Sequence, residues 1–73
     1  MIKDTAIAKK VNELMLEISR QLDESIAIVE QSCPFGDNPA YRQAVAKVLG
    51  EILLEVLNPL YLEHPSLKPP GFE

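Results

Sequence analysis

No proline or glycine interrupts the chain from Asp4 to Ser32, and the next seven residues, CPFGDNP, hold two prolines and a glycine. That punctuation constrains the fold more than any other feature of the 73 residues. Within the first stretch, apolar residues recur at Ile7, Val11, Leu14, Met15, Ile18, Leu22, Ile26 and Val29, in steps mostly of three or four, the period of a helix with one apolar stripe. Lys9, Lys10, Asn12, Glu13, Glu17, Arg20, Asp23, Glu24 and Glu30 fall mostly off that stripe, while Leu16 and Ile28 are apolar positions outside it. Asp4 or Thr5 can cap the start by accepting from the free amides of the first turn. The pattern predicts helix 1 over about residues 4–32.

Pro34 then opposes continuation and turns Cys33 away from helical angles. Gly36 can adopt a left-handed conformation, Asp37 or Asn38 can cap the next helix, and Pro39 suits a first helical position, where its missing amide hydrogen costs nothing. Residues 33–38 therefore read as a helix stop, a turn and a helix start, short enough to lay two helices side by side and antiparallel. Helix 2 is predicted over about 39–57. Its apolar set is Tyr41, Ala44, Val45, Val48, Leu49, Ile52, Leu53, Val56, Leu57 and Leu60, while Gln43, Lys47, Glu51 and Glu55 form one narrow polar ridge. Gly50 is a poor helix former in mid-run, and a close helix crossing would account for it. Asn58-Pro59 either ends this helix and restarts a short one or kinks a continuous one; the apolar content of NPLYLEHP carries helical structure to about Glu63. Residues 64–73 read as a proline-rich tail, extended or unstructured.

A compact monomer of this size buries only about 60% of its unfolded surface, the marginal end of the range. Such chains lean on disulfides, metals, partners or regular helix packing. A single cysteine excludes an internal disulfide, and one cysteine with one histidine is too few for the usual zinc site. Helix 2 is apolar around most of its circumference between residues 40 and 57, more than one neighbouring helix can shelter. The economical solution is a second copy. The fold class expected is all-α: an antiparallel helical hairpin in a single domain, homodimerising into a four-helix bundle, with a short helical turn and a proline-rich tail at the C-terminus. The expected interface is Val45, Val48, Leu49, Ile52, Leu53, Val56 and Leu57 of helix 2, with Ile18 and Leu22 opposite them.

Chemistry-bearing residues are sparse. Cys33 would need an activating base, and His64, the lone histidine, lies beyond the far end of helix 2; the plainer reading is a small residue packed at a helix end. Glu13 with Glu17, and Glu51 with Glu55, have i, i+4 spacing, but the Glu-x-x-His motifs of di-metal bundles are missing and the carboxylates fall on polar faces. Lys9, Lys10 and Arg20 are interleaved with acids and read as ordinary surface charge. Tyr41 and Tyr61 are expected to pack their rings in the core with hydroxyls toward water, and Met15 to fill core space. The tail HPSLKPPGF lacks a full P-x-x-P; Leu67 or Phe72 is expected to pack on the bundle or stay loose. Glycine-rich phosphate loops and Ser/His/Asp constellations are absent from the sequence.

The net charge of −4 sets the chain against phosphate backbones, and no run approaches the about 20 apolar residues of a membrane span. The N-terminal MIKDTAIAKKVNELM lacks the continuous apolar core of a signal peptide, and the free thiol suits a cytoplasmic setting. The expected function is a small non-enzymatic protein–protein interaction module that self-associates through helix 2, with no catalytic residues, cofactor or metal and with neither nucleic acid nor membrane as partner. The alternatives are an accessory subunit that reserves its surplus apolar face for an unknown protein partner, and a small metal- or ligand-binding bundle.

Overall fold

Asp4 opens the first helix. Its Oδ1 accepts the backbone amides of Ala6 at 2.9 Å and Ile7 at 3.1 Å. These are two of the donors that a helix start leaves without internal partners, so Asp4 rather than Thr5 is the cap, a role worth about 1 kcal/mol. From there α1 runs unbroken over Thr5–Ser32, about 42 Å at 1.5 Å per residue. The chain is seen here as a computed structural model, which describes residues 1–32 and 38–69; every element among them is helical and none is a strand. Residues 33–37 of the expected turn, with Cys33, Phe35 and Gly36, and the end of the tail with Phe72 lie outside the described residues.

The second half is one helical rod with a change of winding inside it. An α-helix over Asn38–Glu51 (α2) passes into a π-helical segment over Ile52–Leu57 and then into α3 over Asn58–Glu63. Glu51, Leu57 and Asn58 at the junctions all keep right-handed helical angles, so the chain never leaves the helix. The Asn58 amide donates to the carbonyl of Leu53, five residues back. Pro59 supplies the local reason. It has no amide hydrogen, and its ring crowds the carbonyl of the preceding turn, so a wider turn accommodates it where a regular one would break. Of the two outcomes open at Asn58-Pro59, continuity is the one realised.

The wider turn also changes which side chains face inward. At about 100° per residue, Leu57 would sit about 120° and Tyr61 about 160° round the helix from Val45. Both are nonetheless buried with Val45, at 2% and 6% exposure, and Leu60 is wholly buried. One extra residue in a turn subtracts about 100°, which brings Leu57 to about 20° and Tyr61 to about 60° from Val45. The π segment therefore re-phases the rod. On a uniform wheel the same residues spread around the axis, so part of the apolar encirclement read from residues 40–57 is a change of phase.

Pro65 ends α3 by pushing His64 out of the helical region, to φ −131° and ψ 70°. The His64 amide still reaches the Leu60 carbonyl at 2.9 Å. Where an extended tail was expected, Pro65–Leu67 winds into a 3₁₀ turn, with the amide of Leu67 donating to the His64 carbonyl and that of Lys68 to Pro65. Gly50 does not mark a close crossing: a Cβ placed there would meet nothing within 4 Å.

The core consists of Ala8 on α1 together with Val45, Leu57, Leu60 and Tyr61. Ala8 and Asn12 are the buried residues of α1, and Met15, Ser19, Leu22 and Ile26 on the same side are half-buried. This inward lane lies to one flank of the expected stripe. Ile7 and Leu14, two members of that stripe, are 47% and 56% exposed.

Candidate functional site

Five polar links among the described residues tie the two halves of the chain, and in all of them residues of α1 or its lead-in meet residues of the second half. Arg42 pairs with Glu30. Tyr41 and Ser25 join their hydroxyls at 2.7 Å, and because the Ser25 hydroxyl donates to the Leu22 carbonyl, Tyr41 is the donor between them. The Tyr61 hydroxyl donates to Oδ1 of Asn12 at 2.5 Å. His64 Nε2 donates to the carbonyl of Ile2 at 2.6 Å, and the ammonium of Met1 pairs with Glu63.

Two expectations are corrected by these contacts. The tyrosine hydroxyls reach across to α1 instead of to water, and Asn12, assigned to the polar face, is buried. A buried carboxamide is costly without a partner, so its pairing with Tyr61 is a requirement of the packing. Burial also pushes the Tyr61 hydroxyl above its ordinary pKa, since the phenolate would have to form away from water. The available signal was the small and polar lane Ala8, Asn12 and Ser19, at helical spacing beside the apolar stripe.

The glutamates considered as metal ligands, Glu13, Glu17, Glu51 and Glu55, are all exposed, and no group of three His, Cys, Asp or Glu suited to a metal occurs among the described residues. Glu17 is engaged by Arg20, whose Nε donates to it at 3.1 Å, and this hydrogen bond holds its carboxyl below the ordinary range. Arg20 also pairs with Glu24. An open depression of about 500 Å³ lies near the C-terminal end, lined by Asn58, Tyr61, Leu62, Pro65 and Lys68.

The nine expected interface residues divide into three groups. Val45 and Leu57 are covered within the single chain; Ile18, Leu22, Leu49, Ile52, Leu53 and Val56 are half-buried; Val48 is exposed. Ile7, Leu14, Ile28, Leu54 and Leu62 join Val48 among the large apolar side chains left in water. No helix among the described residues is long and apolar enough to cross a membrane. No known protein family matches the chain, and no curated protein or solved structure matches it.

Proposed function

We propose that this chain is a non-enzymatic protein–protein interaction module, an antiparallel helical hairpin whose partner is a second copy of itself. From the pairs 30–42 and 25–41 at one end, through 12–61, to 2–64, the numbers fall along α1 as they rise along the second half, which supports the hairpin. The observation that carries self-association is the surface the single chain leaves uncovered. It exposes 5306 Å², against about 4,500 Å² for a compact monomer of this mass. The excess of about 800 Å² matches what one partner contributes to a standard interface. Its radius of gyration is 14.6 Å, where a compact domain of this length has about 11 Å. A rod of 46 × 20 × 16 Å with exposed leucines and isoleucines along it has the shape and chemistry that half of a helical bundle would need, which supports the reading. A cytoplasmic home belongs to this reading and rests on the lone cysteine.

Sedimentation equilibrium at low micromolar concentration tests the proposal. The expected mass is twice 8.1 kDa; a well-folded, monodisperse species of 8.1 kDa would refute it. A second reading, an accessory subunit of a larger complex, draws on Leu62, which is 84% exposed beside the C-terminal depression. Native-lysate purification separates the two: a stoichiometric foreign chain favours the second.

A further inference from the structure

We infer that the second copy docks on the outer seam of α1, antiparallel and about a two-fold axis that passes between Val11 and Leu14; this rests on the self-association proposed above. Ile7, Val11, Leu14 and Ile18 step by four, three and four, the a/d spacing of a coiled-coil seam. The inward lane of Ala8 and Asn12 is turned toward the chain's own second half. The seam lies beside it, with Ile7 and Leu14 exposed and Val11 and Ile18 half-buried. Thus α1 carries two adjoining contact faces, one used within the chain and one unpartnered.

Charge selects both the occupant and its direction. Lys10 and Glu17 each precede a seam residue by one position, so they line the same flank, seven residues apart, and both are exposed. A two-fold axis between Val11 and Leu14 sets Val11 against Leu14 of the partner subunit and Ile7 against Ile18 of the partner subunit. The same operation keeps that flank on one side of both helices. Lys10 then comes within about 3 Å along the axis of Glu17 of the partner subunit, two residues of helical rise, and symmetry makes the pair twice. In a parallel arrangement the flank of Lys10 and Glu17 would face the other flank, occupied by Ala8, Met15 and Leu22, where no opposite charge waits.

Charge reversal tests the arrangement on the full chain. Lys10→Glu turns two attractive exposed pairs into two repulsive ones, Glu17→Lys does so while also removing the Arg20–Glu17 pair within each chain, and each is expected to raise the dimer dissociation constant about ten-fold. An equimolar mixture of the two variants restores the attraction in a heterodimer, and the doubly reversed chain recovers association by itself. Leu14→Glu is expected to weaken the dimer about 100-fold or more because the residue enters the centre of the interface twice, with the helical circular dichroism of the monomer unchanged. Three results overturn the inference while leaving self-association standing: a dimer indifferent to both reversals, reversals that fail to rescue each other, or a dimer dispersed by Leu54→Glu and untouched by Leu14→Glu. A wild-type chain that stays monomeric at every concentration removes the underlying proposal as well.

Discussion

Removing the Tyr61 hydroxyl takes from the Asn12 carboxamide the donor that reaches it across the helix pair. Asn12 is 7% exposed and Tyr61 6%, so water has little access to restore what is lost. Leaving a buried acceptor without its donor costs about 1–3 kcal/mol, whereas replacing both partners by apolar groups of similar shape is close to neutral. Against the about 4–11 kcal/mol expected for a chain of this length, one hydroxyl therefore carries a sizeable share of the stability. Urea denaturation at one fixed chain concentration, so that association contributes equally throughout, measures Tyr61→Phe, Asn12→Leu and the double variant. Each single change should destabilise by about 2 kcal/mol and the double by clearly less than the sum, a coupling of about 1–2 kcal/mol. If Tyr61→Phe cost under about 0.3 kcal/mol and the two changes added, the pair would not be a packing requirement and the reasoning would fail.

The same tyrosine gives a pH dependence. Its folded pKa lies above its unfolded one because of burial, so its contribution is complete below about pH 10 and is lost as pH rises through the folded value. Wild-type denaturation midpoints should fall more steeply than those of Tyr61→Phe as pH rises above about 10, and parallel curves would contradict this. Gly50→Ala, at an open helical position, should stabilise the chain by about 1 kcal/mol in the same assay, and destabilisation would reveal a contact at that site. Leu60→Ala should cost about 2–5 kcal/mol, while Leu62→Ala, two residues on and pointing outward, should stay within about 0.5 kcal/mol. Equal costs would show that the phase imposed by the π segment is misassigned.

Much of this fold is legible without coordinates because its elements rest on local forces. Asp4 caps α1 through its neighbours' amides, the stretch to Ser32 contains nothing that opposes a helix, and Pro65 stops α3 by acting on the residue before it. The apolar period likewise announces that both halves are helical and that their faces require cover. Two features escape that reading. A helical wheel assumes constant winding, and Pro59 violates it, so Leu57 and Tyr61 cannot be placed on the inner face by counting residues. Nor does an apolar stripe say which of its flanks will meet a given neighbour. Ala8 and Asn12 turn inward, leaving Ile7 and Leu14 outward, because close approach and the Tyr61 hydrogen bond favour that rotation of α1.

From its residues alone this chain determined the start of α1, its unbroken run to Ser32 and the helical stop near Glu63, since caps, prolines and periodicity act over a turn or less. Tertiary packing decided how those helices are rotated, which polar group is buried and which apolar side chains remain outside. Each of these depends on what lies across the contact, and the side chain across it comes from a residue tens of positions away.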